Sequence, residues 1–527
     1  MSVFKKRIPF LICCLSVYAA IGSGSARAES QQRPNIIFIL ADDVGAESMT
    51  VYGGSSWNTP RIDSIATQGM RFSNAFANPS CAPARSEFLT GRYPFRTGVI
   101  FPTLPNGPLA AEETTLAAVL KNAGYATGLA GKWNLRYGGR NNASEAEQAA
   151  HIEAHGFDEH RTFIGHTIVY GDPSVETNFV PYQLNQWACD FVFRKSTNDS
   201  PFYLQYSLGL VHWPLTATPL NPTATTSNSS DADLYGNMMT YMDNMVGNVL
   251  DAIDNAGIAN NTVVVFGGDN GTWARIYSTY KGVEIKGGKL TSKDTGSWVP
   301  LYVRWPGVVA PASLYDGLTD FSDIFPTLIE MGGGVVPSYR VIDGISFLPQ
   351  LQGASTEPRS FVYCSDIPSR TFVRDKRWKL IDGSNLYDIS NSPFEERLVV
   401  ESSQTAEEAV ARATLAGYLV DIQERKITET GADSDGDGLT DYEETIAGSS
   451  PTNNTSVFKI ESTRMGNGFV VNWQSVSGRV YGVYWSTNLT DVLQPLNTNI
   501  YYPQDSYTDT VHFAEDEGFY KIKVRVQ

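Results

Sequence analysis

A doubly wound α/β sheet, then a small antiparallel α+β unit and a C-terminal β domain, is the architecture this 527-residue sequence predicts. Three observations carry it. Continuous apolar runs end abruptly in polar pairs. Helical patterns fall between those runs, and past about residue 355 the pattern gives way to short β segments.

The first run, Pro34 to Leu40, has no polar alternation, as expected of a strand buried on both faces of a parallel sheet. It delivers Asp42 and Asp43 at its C-terminal end, where open α/β sheets place their sites. Thr262 to Phe266 repeats the device and ends in Gly267-Gly268-Asp269-Asn270-Gly271. Pro201 to Tyr206 reads as a third strand, running on to Val211-His212-Trp213-Pro214. Helical patterns intervene at Thr114 to Asn122 and Leu234 to Asn255, which implies the doubly wound arrangement over residues 29–355. Short β segments at Ser360 to Tyr363, Thr371 to Arg374, Trp378 to Ile381 and Asn385 to Asp388 precede a helix from about Thr405 to Lys426. Together they make the second unit, 356–427. Residues 428–456 read as a loop and linker, and 457–527 as short strands separated by Gly, Asn and Asp turns. Trp473, Tyr481, Tyr484 and Trp485 fit a core better than a sugar-binding face.

The N-terminus reads as a secretory leader over residues 1–28. Lys5, Lys6 and Arg7 precede an apolar stretch, Ile8 to Ala20, too short to span a bilayer, and Ala26-Arg27-Ala28 is a cleavage site. An uncleaved anchor is the competing reading. The expectation is a chain exported to the periplasm or the extracellular space, with no membrane partner. Three cysteines follow the leader: Cys81, Cys189 and Cys364; whether the last two pair is left open. The net charge of −16, from 56 acids and 40 bases, gives no footprint for nucleic acid. An anionic substrate must then be captured by a local basic pocket.

Two oxygen-rich constellations suggest hard cations. Asp42, Asp43, Asp269 and Asn270 suit Ca²⁺, with Mg²⁺ second, and do not suit Zn²⁺. Asp433 to Glu444 fits an EF-hand-type loop, with Asp433, Asp435, Asp437, Leu439, Asp441 and Glu444 at the ligand positions and Gly438 at the sharp turn. A solvated acidic linker is the alternative there.

Cys81-Ala82-Pro83-Ala84-Arg85, continuing into Leu89-Thr90-Gly91-Arg92, resembles the C-x-P-x-R-x-x-x-L-T-G-R signature of the formylglycine-dependent (type I) sulfatases. The resemblance extends over roughly residues 33 to 427 and implies an alkaline-phosphatase-like sheet. It implies that a maturation enzyme oxidises Cys81 to formylglycine, whose hydrate attacks sulfur, and that Cys81 joins Asp42, Asp43, Asp269 and Asn270 around the metal. The related alkaline phosphatases use histidines to hold two zinc ions, whereas no histidine here adjoins either polar pair. Arg85 is implied to brace the hydrate. Gly131-Lys132-Trp133 resembles the family's G-K-W-H segment and assigns Lys132 to the sulfate. Val211-His212-Trp213-Pro214 resembles the H-x-P loop and assigns His212 as leaving-group acid. Gly288-Lys289 through Val299-Pro300 resembles the second lysine block and assigns Lys289 to the sulfate, with Lys286 and Lys293 close enough to leave the register open.

Asn134 stands where the family has a histidine that helps expel sulfate. An amide can hydrogen-bond but cannot take a proton near neutral pH. His151, His155, His160 and His166 crowd into one segment and read as scaffold or substrate rim, since His155-Gly156-Phe157-Asp158 resembles a structural turn of the family. The expected substrate is a sulfated polysaccharide or oligosaccharide. The alternatives are a phosphonate or phosphodiester hydrolase on the same scaffold, and a sulfated-glycan binding protein that has lost turnover.

Overall fold

The computed structural model describes residues 33–100, 108–111, 113–135, 144–163, 170–337, 340–365, 370–427, 460–465, 468–477, 479–486, 494–512 and 519–526. The leader read over 1–28, the loop Asp433 to Glu444 and His166 lie outside the described residues.

Ten strands build the first unit: β1 (Asn35–Ala41), β2 (Met70–Phe76), β3 (Ala126–Gly131), β4 (Glu159–Thr162), β5 (Phe202–Ser207), β6 (Thr262–Gly268), β7 (Tyr277–Tyr280), β8 (Val283–Lys286), β9 (Leu301–Arg304) and β10 (Ser313–Asp320). All but the β7–β8 hairpin join one eight-stranded sheet in the order β10-β2-β9-β6-β1-β5-β3-β4. β1 lies at its centre, parallel to β5 and β6. Every residue of β1 is buried, and successive side chains enter opposite cores: Ile37, Ile39 and Ala41 on one face, Ile36, Phe38 and Leu40 on the other. The Val180–Ser196 and Asp231–Asn255 helices cover the first face. The Cys81–Thr90, Leu116–Asn122 and Ile324–Met331 helices cover the second. That is the doubly wound, alkaline-phosphatase-like arrangement.

Two features depart from the sequence reading. The sheet is mixed, because β9 runs antiparallel to both β6 and β2. Only four residues long and closely bracketed by Pro300 and Pro306, β9 offers too short a period to be read. The strand over 201–206 also stops at Ser207. Its backbone keeps bonding to the end of β1, however: Leu208 N–H donates to Leu40 O at 2.8 Å and Val211 N–H to Asp42 O at 2.8 Å. This pairing carries His212 to the side of Asp42.

In the second unit, β11 (Val362–Cys364), β12 (Phe372–Arg374), β13 (Trp378–Ile381), β14 (Asn385–Asp388) and β15 (Arg397–Leu398) form an antiparallel sheet against the Ala406–Ile427 helix. Val373, Leu380, Leu386 and Leu415 share its core with Tyr93 of the first unit. Beyond it, β16 (Ile460–Met465), β17 (Gly468–Trp473) and β20 (Ser506–Asp509) make one three-stranded sheet. A second joins β18 (Arg479–Ser486), β19 (Gln494–Tyr501) and β21 (Phe519–Val526). Trp473 and Tyr481 lie in the core of this pair, Trp485 is buried, and Tyr484 is partly exposed. Cys189 and Cys364 are buried free thiols and do not pair.

Candidate active site

Four strand ends and one helix start converge at the C-terminal edge of the parallel core. Asp42 and Asp43 follow β1, Lys132 follows β3, His212 sits in the loop after β5, and Asp269 and Asn270 follow β6. Cys81 is the first residue of the Cys81–Thr90 helix, reached from β2, and Lys289 lies between β8 and β9. Two backbone devices aim these groups. Gly131 turns the chain at φ +101°, where a Cβ would meet Ser207 O at 1.9 Å, so that Lys132 enters the site. Asp43 itself holds a left-handed backbone at φ 64°, which fixes its carboxylate beside that of its neighbour.

The polar groups interlock. Lys132 Nζ lies 2.5 Å from Asp42 Oδ2, and Lys289 Nζ lies 2.5 Å from Asp43 Oδ1. Arg85 donates from Nε at 3.0 Å and from a terminal nitrogen at 2.8 Å to Asp269 Oδ2, and it also donates to the Lys132 carbonyl at 3.0 Å. Asn270 Nδ2 donates to Asp43 Oδ1 at 2.8 Å, and Asp43 N–H donates to Asp269 Oδ1 at 3.2 Å. The Lys289 ammonium is 3.4 Å from Cys81 Sγ.

These contacts set the charges. Burial opposes ionisation of Asp42, but Lys132, His212 and Arg85 outweigh it and hold the carboxyl below its usual value; Lys289 does the same for Asp43. Burial pushes the Cys81 thiol up to about 12 against the pull of Lys132 and Lys289. An unmodified thiol there is protonated at neutral pH and a poor nucleophile. His212 is pushed down to about 4, by burial first and by Lys132 next.

Three buried oxygens of the cluster have no hydrogen-bond partner: Asp42 Oδ1, Asp43 Oδ2 and Asn270 Oδ1. Ligand atoms of Asp42, Asp43, Cys81 and His212 all lie within 4.8 Å of one another. Asp42 and Asp43 are paired with lysines through their other oxygens, so what is unmet is three buried acceptors facing one place, and a hard cation satisfies that need. The donor set therefore fits such an ion.

Among the remaining sequence candidates, Lys286 and Lys293 are exposed, while Lys289 is buried in the cluster beside Cys81. Asn134 is 3 % exposed at φ 58°, and neither its Oδ1 nor its Nδ2 has a partner. His151 accepts from Trp133 Nε1 at 3.0 Å, and its ring lies 4.3 Å from that of His155 at a tilt of 35°. Both His155 ring nitrogens face backbone carbonyls, of His151 and Ala110. These two histidines thus support the Trp133 segment, and His160 faces Glu153 at 3.7 Å on the outside.

Sequence reasoning missed two features around the site. Glu47 is fully buried with both carboxylate oxygens lacking a partner. Asp294 binds Arg374 at 2.7 Å and Lys379 at 2.9 Å, clamping the loop that carries Lys289 to the second unit's sheet. A departure from a motif, E-G-G read as Asp294-Thr295-Gly296, was the only signal for the latter.

Comparison with known proteins bears on this arrangement. The sulfatase family model matches residues 34–335. N-acetylgalactosamine-6-sulfatase of Rattus norvegicus is 32% identical over 393 residues, covering 66% of this chain and 71% of the relative. Arylsulfatase D of Homo sapiens is 28% identical over 468 residues, covering 68% and 74%. In fold, the chain is similar to the crystal structure of Ps i-CgsB in complex with k-i-k-neocarrahexaose. The TM-score there is 0.64 at 23% identity, covering 76% of this chain and 94% of the other.

Proposed function

Because this chain belongs to the sulfatase family and is a sulfuric ester hydrolase, we propose that it desulfates a sulfated polysaccharide or oligosaccharide outside the cytoplasm. The observation that carries the reading is Cys81 at the focus of Lys132, Lys289 and Arg85, beside three orphaned carboxylate and amide oxygens. One relative is named for an amino sugar and a structure of the same fold is bound to k-i-k-neocarrahexaose, which supports a glycan reading, while arylsulfatase D carries the name of an aryl-ester enzyme. No helix among the described residues is long and apolar enough to cross a membrane, and export rests on the leader-like N-terminus.

Asp42, Asp43, Asp269 and Asn270, with residue 81, would hold the cation, Ca²⁺ first and Mg²⁺ second. Formylglycine made from Cys81 by a maturation enzyme would supply the nucleophilic hydroxyl, and the bound cation would supply charge neutralisation at the sulfate oxygens. Lys132 and Lys289 stand ready to exchange part of their contact with Asp42 and Asp43 for the sulfate oxygens, dispersing charge that grows in the transition state. Arg85, held by two N–H groups on Asp269, keeps that carboxylate and the helix start in register. His212 carries the proton to the departing sugar oxygen. Burial and Lys132 keep it neutral in the free cleft, and the arriving anionic ester favours its protonated form. Asn134 can only hydrogen-bond in the second step.

The test is mass spectrometry of the Cys81 peptide from a host with the maturation system, paired with sulfate release from the same preparation. An aldehyde trappable by hydrazide reagents, with turnover that falls at least tenfold on chelation and returns with Ca²⁺, is expected. Full activity with an unmodified thiol would sink the proposal. Equal or faster turnover of a phosphodiester would transfer the assignment to phosphoryl chemistry.

A further inference from the structure

Away from Cys81, a cleft of about 430 Å³ lies between β2, the β7–β8 hairpin and the second unit's sheet. None of the residues gathered around Cys81 lines it. Its lining runs back along β2 to Arg71, five residues or about 17 Å of strand before Phe76, so its far end is remote from the reaction.

Four cations line this cleft: Arg71, Lys281, Arg374 and Lys376. Arg374 is committed to Asp294, and Lys376 faces Glu357 at 2.8 Å. Arg71 and Lys281 have no acidic partner among the described residues. Each instead lies over a tyrosine ring, Arg71 at 4.9 Å from the centroid of Tyr52 and Lys281 at 5.0 Å from that of Tyr280. The one carboxylate in the lining, Asp294, is neutralised by Arg374 and Lys379 and accepts from Ser392 Oγ. On a chain of net charge −16, two unpaired cations facing one cleft are a local reversal of sign. Tyr52, Tyr280 and Trp298 form its aromatic wall, Trp298 meeting both tyrosines edge-on at 5.6 and 5.7 Å.

Tyr52 and Tyr280, each 5 % exposed, lie beneath these cations and hold them in place, while the half-buried Trp298 is the ring open to the cleft. A cation pair beside one such ring suits a sugar bearing anionic substituents: the indole takes the apolar C–H face, and the cations take the ester charge. We propose that this cleft is a second saccharide-binding site, separate from the catalytic one, which retains a sulfated sugar of the polymer by Arg71 and Lys281. The assignment rests on the sulfated-glycan reading above for the identity of its ligand. Binding at a second point raises the effective concentration of the polymer at the active site without touching the chemistry.

The experiment is a calorimetric titration of a sulfated disaccharide into the full chain carrying Cys81→Ala, which cannot turn over. Two binding events per chain are expected, and one in the same chain with Arg71→Gln and Lys281→Gln added. Lys281→Glu alone, at an exposed side chain, should weaken the second event at least tenfold and guards against a folding defect from loss of Arg71. In the chain that retains Cys81, Arg71→Gln/Lys281→Gln should change kcat/KM for a small aryl sulfate less than twofold and lower it at least fivefold for sulfated polymer. A single binding event unchanged by the substitutions would overturn the proposal. So would equal occupancy by the desulfated disaccharide, or saturation by inorganic sulfate at the same concentration, which would mark a free-anion site. Failure of the glycan reading has a different signature: no sulfate is released from saccharides by the unsubstituted chain, whatever the titration gives.

Discussion

Asn134 is the residue at which chemistry and backbone make separate demands. Its φ of 58° needs a residue that tolerates the left-handed region, and Asn and His are both enriched there. The Asn134→His ring is thus compatible with the backbone, and both amide atoms of Asn134 are free of other duties. If the second step lacks a base, rapid-mixing kinetics should show a burst of desulfated product followed by a slower steady rate, and Asn134→His should raise that rate severalfold. No burst, with activity lost in the variant, would place Asn134 in substrate shaping instead. Glu47 makes a second demand, this time of stability. Burial without a cation raises its carboxyl from 4.5 to about 7, so the folded chain holds a proton there that the unfolded chain has released. Stability should fall as pH climbs from about 4.5 to 7, by roughly 3 kcal/mol if the shift is fully expressed. Glu47→Gln should therefore raise the melting temperature at pH 8 and leave it nearly unchanged at pH 4.5; a uniform shift at both would contradict this. Most side chains that the structure gathers at the candidate site were legible in the sequence: Asp42, Asp43, Cys81, Lys132, His212 and Asp269 all lie on short signatures. Glu47 was not, because a lone acid in a loop has no period or spacing to betray its burial.

At the scale of elements, legibility followed hydrophobic continuity. β1 and β6 were readable because both faces of each are covered, leaving no polar alternation. β10 was not, since its Ser313-Leu314-Tyr315-Asp316 start sits at the sheet edge with Leu314 and Asp316 exposed. The clamp at Asp294 was invisible for another reason: its partners lie 80 and 85 residues away, on β12 and β13. Its carboxyl is held well below the usual range, burial being outweighed by Arg374, Lys379 and the Ser392 hydroxyl. A depressed folded value contributes stability above the unfolded carboxyl value, which is lost as pH falls through the folded one. Asp294→Asn leaves the buried Arg374 without its carboxylate, while Lys379 keeps Glu396 at 2.8 Å, and a cost of about 3 kcal/mol follows from breaking such a cluster. Thermal unfolding at pH 7 should register that loss, and small-ester turnover should fall as the Lys289 loop loosens. A gap that closes toward strongly acidic pH would identify the carboxylate charge as the cause, whereas a gap independent of pH would point to packing.

Across the whole molecule, the division between cores separates the catalytic body from the C-terminal β domain. Val471, Trp473, Tyr481, Val483, Ile500 and Ile522 form a core drawn entirely from residues 471–522 among the described residues, which is the pattern of a unit with its own hydrophobic centre. The second unit, by contrast, shares its core with Tyr93 and its ion cluster with Asp294, so it belongs mechanically to the catalytic body. The Ala406–Ile427 helix contributes Leu415 and Ile422 to that shared core, which sets the earliest harmless cut just after it. We therefore propose that a chain ending before Thr428 folds and hydrolyses a small sulfate ester within about twofold of the full length, while losing the calcium site read at Asp433 to Glu444. Calcium titration followed by calorimetry should find two sites in the full chain and one in the shortened chain. Chelation should broaden proteolysis between the second unit and the β domain in the former alone. Loss of small-ester turnover in a shortened chain that still melts cooperatively would mean that the β domain or its linker shapes the active site, and the modular reading would have to be abandoned.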